Sequence, residues 1–115
     1  MANTFKVVTK AGVTSADVIY TVAGSTTTVV LGLMLGNTPS SSINATVTLG
    51  TDTSNRAGNN DEANQAVELI TSTPIPGNSS LELLAGNKVV METTDTLSVT
   101  GSGATDVVLS IMEIT

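Results

Sequence analysis

Three groups of oxygen-bearing side chains are the places to look for chemistry in this chain. The first is the loop from Thr51 to Gln65. There Asp52, Asn55, Asn59, Asn60, Asp61 and Glu62 collect the hard oxygen donors that a Ca²⁺ ion takes. The spacing departs from an EF-hand loop, because Arg56 falls at the fifth position, where an oxygen ligand is needed. The cluster reads as ordinary loop chemistry, and no metal is expected. The second group is carboxylate pairs, Glu92 with Asp95 or Asp61 with Glu62, as acid and base for glycoside hydrolysis. That reaction needs two carboxyl groups about 5–10 Å apart across a sugar cleft. Cleft walls normally offer aromatic rings, and this chain has one Tyr, one Phe and no Trp. The third is Ser79 and Ser80, which lack the His that would activate a hydroxyl, since the chain contains none. With neither His nor Cys, the usual general base, thiolate nucleophile and transition-metal ligands are all missing. The expectation is a non-enzymatic protein with no cofactor.

Charge narrows the partners. Four Lys and Arg stand against ten Asp and Glu, for a formal net charge of −6. The first 50 residues carry only Lys6, Lys10 and Asp17, and Arg56 and Lys88 are the only later cations. A phosphate backbone is held by clustered cations, and bases stack on aromatic platforms. Neither is present, so no nucleic-acid partner is expected. The longest apolar run, Val29 to Leu35, is far short of the roughly 20 residues of a spanning helix. Gly32 and Gly36 match GxxxG only formally, outside any apolar 20-mer. No apolar signal segment follows Lys6. No membrane partner is expected.

The elements that would position these groups read as strands throughout. At 115 residues the chain is one domain, and short apolar runs alternate with Gly, Asn, Asp and Ser clusters. Residues 1–10 read as an N-terminal arm or first strand, centred on Phe5 to Thr9, and residues 11–115 as a single β-sandwich domain. A turn is predicted at Ala11-Gly12. Val18, Tyr20 and Val22 are predicted to share one face of the next strand. A bulge or close backbone approach is predicted at Gly32, inside the β-branched run from Thr26 to Leu35. Ile43, Ala45, Val47 and Leu49 are predicted inward. After at most one helical turn behind Asn60, a strand is predicted over Val67 to Thr71. Thr73 to Asn78, with Pro74 and Pro76, reads as rigid connecting chain. Leu81, Leu83, Leu97 and Val99 are the predicted inward positions beyond it. The fold class implied is all-β: a compact antiparallel β-sandwich or jelly-roll-like domain of eight or nine short strands.

The last strand, Asp106 to Ile114, is apolar on both faces. Val107, Leu109 and Ile111 form one stripe, and Val108, Met112 and Ile114 form the other. Such a strand is either central in a two-layer core or covered on one side by another subunit. Periodicity alone does not separate these two.

Two stretches resemble a family of small virion structural proteins of tailed bacteriophages, common among marine phages. One is Met1-Ala-Asn-Thr-Phe-Lys6 leading to Tyr20-Thr-Val-Ala-Gly-Ser-Thr-Thr-Thr-Val-Val-Leu-Gly-Leu33. The other is Pro74-Ile-Pro-Gly-Asn-Ser-Ser-Leu81, then Gly86-Asn-Lys-Val-Val90, Asp95-Thr-Leu-Ser-Val99 and Asp106-Val-Val-Leu-Ser110. Thr51 to Gln65 matches poorly and looks like a loop insertion. Family members often have Gly before the aspartate matching Asp95, where this chain has Thr94.

The resemblance implies a capsid decoration or cement protein, bound to the shell in many copies. It would lie in the virion, assembled in the host cytoplasm, with other virion proteins such as the major capsid protein as partners. A neck or tail component is the alternative, and a host-surface or glycan-binding module using the Thr51–Gln65 loop is a further one. A homo-oligomer is expected, a trimer for decoration or a ring for a neck. Its candidate subunit interface is Phe5, Val7, Val8, Val108, Met112 and Ile114. The N-terminal segment is expected to be ordered mainly by a neighbouring subunit.

Overall fold

A computed structural model describes residues 2–51, 65–84 and 87–115 of the chain. Nine strands are present among the described residues: β1 (Asn3–Val13), β2 (Asp17–Thr21), β3 (Thr27–Asn37), β4 (Ile43–Gly50), β5 (Val67–Ile75), β6 (Ser79–Leu83), β7 (Val89–Met91), β8 (Thr96–Gly101) and β9 (Thr105–Ile114). They form two antiparallel sheets. The first has the order β1-β9-β3-β6, with β7 also on the outer edge of β3. The second has the order β2-β8-β4-β5. β7 pairs with Thr28–Val30 and β6 with Leu33–Asn37, so the two short strands share one edge of β3 in succession. The chain changes sheet at every connection except β4–β5 and β6–β7. That path is the wrapping of a jelly roll, and the all-β sandwich expected from the sequence is what the chain adopts.

The sandwich forms because each strand offers one apolar stripe, and the two sheets cover each other's stripes. Val30, Leu33 and Leu35 of β3 and Val107, Leu109 and Ile111 of β9 meet Ala45 and Val47 of β4 and Leu97 and Val99 of β8, all essentially out of solvent. Val30 and Leu33 are three residues apart, which strict alternation would put on opposite faces. A bulge resolves the conflict. Val30 lies opposite Ile111 and Gly32 opposite Ser110, so Leu31 is the extra residue that returns Leu33 to the core. The irregularity predicted at Gly32 is therefore present.

Other local expectations change. Ala11-Gly12 is no turn: β1 continues to Val13, with an irregularity absorbed by Gly12 at φ +68°. Val18 does not share the core face with Tyr20 and Val22, because Ile19 is an extra residue in β2 and Val18 is left exposed. Thr73 to Ile75 is strand, with Pro74 opposite Asn44. β5 is an edge strand, and there a residue without an N–H can sit in a ladder. The possible helical turn behind Asn60 lies mainly outside the described residues; Gln65 and Ala66 are not helical, and the strand begins at Val67 as predicted.

β1 is the first strand that the sequence allowed for, but it departs from the expectation that a neighbouring subunit orders it. It is ordered by its own chain, paired with β9 from Asn3 opposite Ile114 to Lys10 opposite Val107. Lys6 and Lys10 hold it further, through ion pairs to Glu113 at 2.7 Å and Asp17 at 3.7 Å.

Candidate assembly surface

Residues directly opposite in an antiparallel ladder project to the same face. Applied to the first sheet, this rule assembles a patch on its outer side, away from the core. One row runs Phe5 (β1), Met112 (β9), Val29 (β3), Val90 (β7). Two rows along, Thr9, Val108, Met34 and Glu82 line up across β1, β9, β3 and β6. Between them lie Val7, Ser110 and Gly32. Beyond Phe5, Asn3 and Thr27 flank Ile114. Relative exposures are 71% for Phe5, 63% for Val7, 52% for Val90, 42% for Met34 and 39% for Val108. Scattered surface hydrophobics need no explanation, but a contiguous patch marks an interaction surface.

Of the six candidate interface residues, Phe5, Val7, Val108, Met112 and Ile114 come together on this face. Val8 does not. It pairs with Leu109, so it points to the inner side and packs against the core. The sequence reading missed Val29, Met34 and Val90, because a strand's outer neighbours are fixed by pairing, which no local pattern reveals. The centre of the face is hollow. Gly32 and Ser110 are among the residues lining a cavity of about 120 Å³, together with Leu33, Met34, Val108 and Glu82.

The same sheet is clamped to its partner by polar contacts at the edge of the core. Tyr20, on β2 of the second sheet, donates its hydroxyl proton to Glu113 Oε2 at 2.6 Å. With that proton committed, Thr28 Oγ1 is the donor in the 2.7 Å contact to the tyrosine oxygen. Burial, reinforced by the hydrogen bond to Glu113, pushes the Tyr20 hydroxyl up to about 12. The Lys6 ammonium and the Tyr20 hydroxyl, both bonded to Glu113, hold its carboxyl below the ordinary value of 4.5. At the far end of β3, the buried Asn37 donates through Nδ2 to Ser41 O at 2.7 Å and Ile75 O at 2.9 Å, tying β3 to the last residue of β5. These contacts tie the two sheets together near both ends of β3.

The groups considered for chemistry have structural places where they are described. The Asp95 side chain is buried, and its Oδ2 accepts the Glu92 N–H at 2.9 Å. Its own N–H donates to Glu92 O at 3.0 Å. Asp95 thus closes the turn before β8 and does not face Glu92 across a cleft. Thr94, within that turn, has φ +74°, the left-handed region that a Gly adopts without the steric cost of a Cβ. Ser79 Oγ donates to Pro76 O at 2.7 Å at the start of β6. Asp52, Asn55, Asn59, Asn60, Asp61 and Glu62 lie outside the described residues. No group of three metal-binding side chains is found among the described residues. A second surface hollow, about 450 Å³, is lined by Gly36, Asn37, Thr38, Asn78, Ser79 and Ser80, none of them titratable. No described helix is long and apolar enough to cross a membrane.

No family model and no curated protein matches the chain. Among solved structures, it is similar to a chain of the Bacillus endospore appendages, which are described as forming a novel family of disulfide-linked pili. The two are 14% identical, the match covers 99% of this chain and 87% of that one, and the TM-score is 0.48. A likeness at that level carries no statement about function.

Proposed function

We propose that this chain is a non-enzymatic structural protein of a tailed-phage virion, a decoration or cement subunit set on the capsid shell in many copies. The observation that carries the reading is the apolar outer face of the first sheet, where Phe5, Met112, Val29 and Val90 make one row. A contiguous exposed apolar patch of this kind marks an interaction surface, and another protein surface is the cover that suits it. The strand positions of that face carry no Lys or Arg, which fits a protein partner better than a phosphate-rich one. The resemblance of the segments around Tyr20–Leu33 and Pro74–Leu81 to phage virion proteins supplies the kind of particle. The jelly roll itself is shared by capsid proteins, lectins and enzymes, so it neither supports nor opposes the reading.

A cryo-EM map of intact particles tests it. Density matching the two-sheet domain is expected on the outer capsid surface, with the β1-β9-β3 face turned into a protein contact. Density at the neck or tail would keep a virion role and reject decoration. Purified particles that lack the chain by mass spectrometry would reject both.

A further inference from the structure

The outer face holds a projecting ring and a hole of matching size, which is what a surface needs to pair with itself. Phe5 is the only Phe in the chain, and it stands 71% exposed on the edge strand β1. Two strands away, the cavity over Gly32 and Ser110 holds about 120 Å³, walled by Met34 and Val108. A hole of about 150 Å³ is enough to enclose a benzene ring, so an open hollow slightly smaller suits a phenyl group inserted from outside. Met34 supplies a polarizable thioether of the sort that packs favourably against ring edges.

We infer that the occupant of this face is a second copy of the chain, joined through a two-fold contact in which Phe5 of each copy fills the Gly32–Ser110 hollow of the other. The inference rests on the reading of this face as an assembly surface and adds its partner and geometry. Strands lie about 4.8 Å apart and rise about 3.4 Å per residue. The ring and the hollow are therefore separated by roughly 13 Å on one face. That is too close for two different neighbours to use them separately, so the contact must be reciprocal. The two-fold axis that exchanges them lies in the plane of the contact at about 45° to the strands, so the strands of the two copies cross at roughly a right angle. Orthogonal crossing is one of the two ways in which sheets pack. The face spans about four strands and eight residues, which amounts to about 1,000 Å² buried in total from the same spacings. That is the lower bound for a specific interface. Glu82 at the rim of the hollow is the one ionisable side chain in these rows of the face, and the rows from Phe5 to Val90 and from Val7 to Gly32 contain none, so two acidic copies meet mainly through uncharged positions.

Gly32 provides a clean test. A Cβ there would meet nothing within 4 Å, and its φ is not in the left-handed region, so the backbone accepts a side chain at this position and Gly32→Leu directs one into the hollow. Sedimentation velocity over micromolar to millimolar concentrations should show wild-type dimers. Both Gly32→Leu and Phe5→Ala should weaken them about 30-fold or more, the size of a hot-spot loss. The chain has no Cys, so mixing Phe5→Cys with Ser110→Cys protein under mild oxidation should give the mixed disulfide in preference to either symmetric one. A wild type that stays monomeric overturns the inference. So does a dimer or trimer indifferent to both Gly32→Leu and Phe5→Ala, or the absence of the mixed disulfide. If those failures came with density for the chain on the particle, the virion role would stand and another virion protein would be the occupant. Dimers that behave as expected, from a chain absent from particles, would reject the virion role alone.

Discussion

Glu113 shows how one carboxylate can serve the whole sandwich. It joins β9 to β1 through Lys6 and to the opposite sheet through Tyr20. Its folded pKa lies below the ordinary value, so the stability it provides is present above about pH 4.5 and is lost as pH falls through the lowered value. Tyr20 works in the other direction. Its pKa is raised to about 12, so its contribution is complete below pH 10 and declines between pH 10 and 12. Urea unfolding across pH should therefore give a plateau bounded by these two limbs. Tyr20→Phe should remove the alkaline limb, at a cost of about 1–2 kcal/mol at pH 7 from two lost hydrogen bonds. Lys6→Met should flatten the acid limb, since the Lys6 contact is the largest cause of the Glu113 shift. Thr94 offers the opposite kind of test. Holding a residue with a Cβ at φ +74° costs about 1–2 kcal/mol, whereas Gly adds about 0.4–1 kcal/mol of unfolded-state entropy. Relief of strain outweighs the added entropy, so Thr94→Gly should stabilise the fold by roughly 0.5–1 kcal/mol in denaturant titrations.

At the scale of elements, β1 and the turn before β6 carry the sharpest expectations. β1 gives β9 one of its two neighbours, and Val8 and Val13 pack on the core. Removing residues 2–10 would leave a row of β9 backbone groups unpaired and convert a central strand into an exposed edge. The truncated chain should melt well below the intact one by circular dichroism and tend to aggregate. Unchanged melting would mean that β1 belongs energetically to a neighbour. Gly77 is held for a different reason. A Cβ there would overlap the Ser40 carbonyl group, because the turn at 76–78 packs directly on the β3–β4 loop, with Asn78 N–H bonded to Pro39 O at 3.0 Å. Backbone cannot yield as a side-chain end can, so Gly77→Ala should cost about 1–3 kcal/mol in thermal or denaturant unfolding.

At the scale of the whole molecule, the two faces of β9 divide between stability and assembly. Val107, Leu109 and Ile111 fill the core, while Val108, Met112 and Ile114 look outward. Met112→Asp should change monomer stability by only about 1 kcal/mol, the span of strand preferences. It should also strip the chain from particles, because a charge would be buried at the centre of the contact. Particle occupancy by mass spectrometry and monomer melting by circular dichroism check the two halves of this expectation. A large loss of monomer stability would place Met112 in the core instead.

The amino-acid order alone determined that this is a strand protein, since period-two stripes such as Ile43, Ala45, Val47 and Leu97, Val99 can be buried only on one side of a sheet. It also marked Gly32 as an irregularity and β9 as apolar on both sides. It did not determine which strands become neighbours, because pairing joins residues as far apart as Asn3 and Ile114 and leaves no local period. That is why the pattern does not show Met34, Val29 and Val90 as neighbours of Phe5 and Val7, whereas alternation by itself already puts Val8 on the face opposite those two. Bulges at Ile19 and Leu31 changed the facing of the residues after them, which alternation cannot anticipate. The two-sheet wrapping decided the rest: that Phe5, Met112, Val29 and Val90 make one row, and that a ring and a hollow share a single face.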